Sequence, residues 1–411
     1  MPHLHTPSMP PAPRRPAGMQ RAAGPLLAAL LCAVASMLPP VTGGAAELRV
    51  LPLLLRLEGV GPIVGGAVGY THVSGERLDL YAGKSFGAVD AAGVVAADVP
   101  LGGEQVGLTA FAVAVNEARL DTSYTRGFAD DEAVNQRVRG AGAGGIVKFE
   151  LAQRSWIVNL GLAQSSVRFA GYFQGERRIP LPGAKLFDVN TTALLAGLTY
   201  QQLDEPRVPH RGYRLGLNAA TAAGRVGQSD TLTLTGTVTG YVPLGDALTW
   251  ALHGMFSAAA VTRRESKYDT ADEVRAALAT DCTAGTSDAG QAACERLNEQ
   301  LAQFIAANNR VGSATPLGGS AYLRGFREMR FRAAQTRALA TELRWRVRGR
   351  LELTPFYELG YAADDAAALS DESRSSVGLE LRLHMAELPV RLGVAQGEER
   401  SAWYLMLGYP W

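Results

Sequence analysis

The sequence is sparing in what most enzymes and nucleic-acid binders need. Only three of its 411 residues are cysteine, 7% are aromatic and six are histidine. Forty basic residues face 39 acidic ones, a formal net charge of +1. No broad cationic field exists to attract phosphate backbones, which argues against a nucleic-acid partner. Beyond residue 46 no apolar stretch reaches the roughly 20 residues of a membrane-crossing helix, so a helical membrane protein is excluded. Zinc would be short of ligands, because Cys282 and Cys294 have no histidine nearby and His253 and His384 lie in separate strand-like segments. The histidines left for catalysis, His72, His210, His253 and His384, sit in no nucleophile motif. Neither Gly65-Gly66 nor the glycines from Gly142 to Gly145 are followed by the Lys-Ser/Thr of a phosphate loop. The sequence thus gives no catalytic residues, no metal and no cofactor, and offers little ground for a hydrolase.

What is present begins with an export pattern. Arg14, Arg15 and Arg21 precede an apolar run from Leu26 to Ala35, and Gly43, Gly44, Ala45 and Ala46 offer a cleavage site. Residues 1–46 read as a cleaved signal peptide; the run is too short and too closely followed by Pro39 and Pro40 for a retained anchor. Residues 47–411 form the mature domain. There, apolar and polar residues alternate over stretches of about ten, the length of a tilted strand in a membrane barrel. From Thr231 to Tyr241, Leu232, Leu234 and Val238 share one side while threonines occupy the other. Leu343, Trp345 and Val347 oppose Glu342, Arg344, Arg346 and Arg348, and Val377, Leu379, Leu381 and Leu383 oppose Gly378, Glu380, Arg382 and His384.

A soluble sandwich and an outer-membrane barrel both produce such alternation, the apolar face meeting a core in one and lipid in the other. Export, strand number and the C-terminus together favour the barrel. Trp403, Leu405, Leu407, Tyr409 and Trp411 are large at every second position back from a terminal aromatic, which resembles the last strand of bacterial outer-membrane barrels. Strands are expected near 49–58, 63–72, 77–85, 89–99, 105–116, 141–150, 154–163, 190–201, 211–222, 230–241, 247–258, 336–347, 350–362, 374–385, 388–396 and 400–411. That is about sixteen, an all-β antiparallel transmembrane barrel with the even number such chains use. Long loops are expected at 117–140, 164–189 and 259–335, and connections of this length usually carry function. In the last of these, Cys282 and Cys294 read as a disulfide in an oxidising compartment, stapling a short helical pair within 270–308.

The same loop contains Leu323-Arg324-Gly325-Phe326. It resembles the hallmark motif of the BamA/TamA superfamily of outer-membrane assembly and translocation barrels, found in their sixth surface loop. Ala340-Thr341-Glu342-Leu343-Arg344 and Pro355-Phe356-Tyr357-Glu358-Leu359-Gly360 resemble the two strands that follow it, and Leu198 through Asp204, Pro206, Pro209 and Arg211 to Leu215 resembles an upstream family segment, departing from it at Gln201, Gln202 and Leu203. The resemblance implies that the loop folds into the lumen, where Arg324 meets Glu342 and Glu358, with Gly325 permitting a tight turn. It implies closure through the first and last strands, a seam that Gly408 and Pro410 should weaken, since glycine loosens a strand and proline removes a ladder donor. It implies a Gram-negative outer-membrane location, lipid as surroundings, and client outer-membrane proteins. The periplasmic POTRA domains usual before such barrels have no room in residues 47–62, so separate periplasmic accessory proteins would have to deliver clients; a passive pore or structural barrel is the alternative.

Overall fold

In a computed structural model of the chain, the residues described are 47–71, 78–101, 105–122, 124–128, 134–174, 177–179, 188–206, 208–224, 227–283, 288–385 and 388–407. The strands are β1 (Glu47–Leu57), β2 (Gly61–Thr71), β3 (Asp79–Gly87), β4 (Val89–Pro100), β5 (Val106–Thr122), β6 (Val134–Leu151), β7 (Trp156–Gln174), β8 (Arg177–Ile179), β9 (Val189–Leu203), β10 (Gly212–Ala222), β11 (Asp230–Pro243), β12 (Leu248–Arg263), β13 (Gln335–Arg348), β14 (Leu351–Ala363), β15 (Arg374–Met385), β16 (Leu388–Gly397) and β17 (Ser401–Leu407). From β1 to β7 and from β9 to β17 each strand pairs antiparallel with the next, β9 pairs directly with β7, and β17 returns to β1. Sixteen strands thus close a barrel, while β8 is a short arm folded back on the end of β7.

The alternation decides which side of the wall each residue takes. Leu215 and Leu217 of β10, Trp345 and Val347 of β13, and Val377, Leu379, Leu381 and Leu383 of β15 are all exposed on the outer surface. Their neighbours Glu342, Arg344, Glu380 and Arg382 are buried on the inner one. Among the described residues no second protein layer covers the greasy side, as a sandwich requires, which leaves that side to face lipid as in a membrane barrel.

Two expected loops are partly strand. The segment 117–140 shrinks because β5 continues to Thr122 and β6 starts at Val134, and 164–189 shrinks because β7 runs on to Gln174. Past the apolar band an outward position has no need to be apolar, so Arg119 and Arg139 there hid the continuation. Register shifts between Val115 and Ala118 and between Arg137 and Val138 further break the period.

The strand extensions carry a cap. Between β12 and β13, helix α1 (Ala271–Leu278) and helix α2 (Asp288–Val311) form a hairpin joined by the Cys282–Cys294 disulfide. Thr270 starts α1 with a reciprocal capping box to Glu273. Val274, Leu278, Leu297, Leu301 and Ile305 bury their apolar faces against Tyr124, Tyr172 and Ile179 of the β5–β8 region. Arg126 locks this lid, pairing with Asp364 at 2.6 Å, donating to the Gly312 carbonyl at 2.7 Å, and bonding Asn308. Closing the small disulfide loop contributes on the order of 3 kcal/mol in the chain-entropy account.

Candidate functional site

Below the cap the loop turns into the lumen. Leu317 and Phe331 pair as a two-residue bridge, and the chain between them reverses over Leu323, whose φ of +60° is left-handed. Leu323 and Phe326 are fully buried with Phe331, the two phenyl rings 4.9 Å apart. Gly325 lies in the tight turn expected of it, closed by the Phe326 N–H donating to the Leu323 carbonyl at 3.0 Å, but its φ is not positive, so the turn is not what demands glycine. A Cβ at this position would lie 2.4 Å from the backbone nitrogen of Gly397 on β16. Only glycine lets the loop approach the wall so closely.

This approach delivers Arg324, 1% exposed, to the charged inner face. Its backbone N–H donates to Glu358 Oε2 at 2.7 Å and its Nε to Glu358 Oε1 at 2.9 Å. Nη1 reaches Glu342 at 3.0 Å and Glu380 at 3.3 Å, and the guanidinium carbon lies 3.6 Å from the Phe356 ring centre. The bonds are spread over three carboxylates instead of forming a fork with one. Burial works against the charge on Arg324, but Glu358 and Glu342 outweigh it and hold its pKa above the usual guanidinium value.

Glu380, Arg382, Arg391 and Tyr404 complete the network, and sequence reasoning did not place them in it. Arg391 forks onto both oxygens of Glu380 at 2.9 and 2.7 Å, Tyr404 donates to Glu380 at 2.8 Å, and Arg382 Nε bonds the same carboxylate. Arg382 also meets Glu342 at 2.8 Å and Glu352 at 3.2 Å, while Arg344 reaches Glu342 at 3.0 Å. Ser376 donates to Glu358 at 2.7 Å. The carboxylates of Glu342, Glu352, Glu358 and Glu380 therefore match the guanidiniums of Arg324, Arg344, Arg382 and Arg391 in number. The signal available in the sequence was the shared parity of Glu380 and Arg382; their partners depend on the slant of neighbouring strands. This is a scaffold of ion pairs, with no histidine, cysteine and carboxylate group among the described residues placed to hold a metal.

The other predicted positions lie at the seam. Trp403 is exposed and Leu405 and Leu407 half-buried on β17. Gly408, Tyr409, Pro410 and Trp411 lie outside the described residues. Among the described residues β17 and β1 share one ladder position, Arg56 opposite Leu405, and the Arg56 guanidinium lies 4.0 Å from the Trp403 ring centre. On its other edge β1 pairs with β2 from Glu47 to Leu57.

Comparison with solved structures finds the same fold. BamA from Haemophilus ducreyi lacking POTRA domains 1–3 superposes with a TM-score of 0.55 at 11% identity, over 88% of this chain and 70% of that one. CdiB from Acinetobacter baumannii gives 0.51 at 10% identity, over 88% of this chain and 59% of that one. CdiB from Escherichia coli gives 0.52 at 8% identity, over 91% of this chain and 69% of that one. No curated protein matches the sequence. Residues 103–409 match the Omp85 superfamily domain, in keeping with the closed barrel and its inward loop, and the chain belongs to the Omp85 superfamily.

Proposed function

We propose that this barrel works without catalysis in outer-membrane protein assembly or translocation, accepting client β-strands at the seam between β1 and β17. The observation that carries the reading is the contrast between the two edges of β1: ladder pairing along its whole length with β2, and one described position with β17. An edge whose N–H and C=O groups are available can add a client strand by main-chain hydrogen bonding, which is indifferent to client sequence. The ion-pair network supports the same reading, because it fixes the β13–β16 wall beside an edge that moves. Clients would be other outer-membrane proteins, delivered by separate periplasmic proteins.

The test is a cysteine pair at the one described seam position, Arg56→Cys with Leu405→Cys, in a Cys282→Ser/Cys294→Ser background. Oxidation is expected to abolish insertion of a test barrel into liposomes containing the purified protein, and reduction to restore it. Full insertion in the oxidised form would sink the seam mechanism. A steady ion conductance indifferent to the crosslink would select the passive-pore reading instead.

A further inference from the structure

The lipid-facing surface of β3–β7 differs from the rest of the barrel. Where β10, β13 and β15 turn leucine, valine and tryptophan outward, the middle of this sector turns out mostly alanine, with Val94 among it and Leu80, Phe86, Leu160 and Leu162 toward its flanks. Ala82, Ala92, Ala112, Ala114 and Ala143, with Gln164, line a shallow cavity of about 710 Å³ on that surface. It crosses four inter-strand spacings, roughly 19 Å at ~4.8 Å each, several times the width of one acyl chain.

Directly above it, on the same outward face and toward the capped rim, stand four arginines. Arg119 of β5 is opposite Arg137 of β6, and Arg139 of β6 is opposite Arg168 of β7. Like charges directly opposed on one face of a sheet destabilise it, and here two such pairs occupy three adjacent strands. The protein compensates them thinly. Glu117 lies 3.1 Å from Arg119 and 3.9 Å from Arg139. Arg137 lies against the Phe173 ring at 4.1 Å with its Nε unbonded among the described residues, and Arg168 has no ion pair among them. The neighbouring acids are engaged elsewhere: Asp121 accepts from the Asn135 amide at 3.1 Å, and Asp90 has Lys84 at 3.9 Å and Asn116 at 3.4 Å. The side chains of Arg119 and Arg139 are 54% and 64% exposed. On β6 Arg139 stands two positions from Ala141, which also lines the hollow, roughly 7 Å along the strand.

We propose that this sector is a binding site for a phosphate-bearing, multiply acylated glycolipid of the outer leaflet. Its phosphates sit on the two arginine pairs, whose planar donor forks match phosphate oxygens. Its acyl chains lie in the hollow beneath, where a lining mostly of alanine and glycine brings them close to the backbone. A diacyl lipid with one phosphate leaves one arginine pair uncompensated and most of the hollow uncovered. The inference depends on the barrel's place in the outer membrane and not on how the seam works.

The purified full chain in zwitterionic phosphatidylcholine nanodiscs, titrated with diphosphorylated hexa-acyl lipid A and followed by native mass spectrometry and thermal unfolding, tests it. Wild type should retain lipid A and gain thermal stability. Arg139→Gln/Arg168→Gln should weaken the apparent affinity at least tenfold, yet be as stable as wild type or more so without lipid A, because a repulsive pair is gone. Ala112→Leu/Ala143→Leu, which fills the hollow and leaves the charges alone, should weaken binding as well. Equal retention of lipid A by wild type and both variants would overturn the proposal. So would wild-type binding of phosphatidylglycerol as tight as that of lipid A.

Discussion

The walls formed by β13–β16 and by β2–β7 solve the same problem in opposite ways. The first turns its charges inward and satisfies them with one another and with a loop; Glu380 alone receives Arg391, Arg382, Arg324 and Tyr404. The second is lined inside by Tyr81, Val95, Phe111 and Ala163, packed with glycines that make room for the rings, and carries its arginines on the outside. Directional bonds dominate in the first wall and shape in the second, where Lys148 still pairs with Asp98 and Glu150. Charge at alternate positions therefore does not by itself mean lumen: height along the strand relative to the apolar band decides whether it faces the interior or the headgroups.

The sharpest way to break the comparison is Glu380→Ala. Removing it takes both bonds of the Glu380 fork from buried Arg391 and one of three carboxylates from Arg382, and breaking a buried pair on one side costs about 3–5 kcal/mol. The temperature at which the folded form is lost on semi-native gels should drop steeply, while Val95→Ala, a truncation in the opposite wall, should cost about 0.5–3 kcal/mol. If the two variants melt alike, the network is not what stiffens its wall. A smaller effect is expected from a single methyl. Gly325→Ala and Gly69→Ala each bring a Cβ within 2.4 Å of an atom, but the first meets the Gly397 backbone and the second the edge of the Tyr81 ring. A ring can swing and a strand backbone cannot, so Gly325→Ala should cost about 1–3 kcal/mol and expose the loop to protease, with Gly69→Ala well below it. Equal protease resistance of the two would refute the close-approach role.

The smallest effect is a pH dependence. Glu328, at the base of the inward loop, is raised above its ordinary value of 4.5 by burial, against the opposing pull of hydrogen bonds from Ser320. A carboxyl whose folded pKa is raised adds stability that is complete below pH 4.5 and is lost as pH climbs through the folded value. Glu328→Gln should thus melt slightly higher than wild type at neutral pH, with the difference vanishing on acidification. A gap that widened toward acid would reverse the sign and dismiss burial as the cause.

Much of this architecture was legible beforehand. Leu343, Trp345 and Val347 against Glu342 and Arg344 locate a strand and its two faces from periodicity alone, and the same reasoning works for sixteen strands because each must satisfy lipid on one side. It fails where that demand ends. Above the bilayer Arg119 and Asp121 occupy outward positions on β5, so the continuing strand looked like loop. Sequence parity also cannot say that Arg382 would reach Glu342, 40 residues away, since that contact is set by how far each strand is staggered against the next. The close approach that requires Gly325 likewise belongs to two segments whose distance appears only after the barrel closes.

Arg126 grips Asp364 from 238 positions upstream in the chain. Its anchor is made only after nearly every stave of the barrel has been synthesised and set, since contacts so distant in sequence must wait for what lies between them. The lid is therefore a late event in this protein's own maturation: the outward end shuts only when the vessel beneath it has been built.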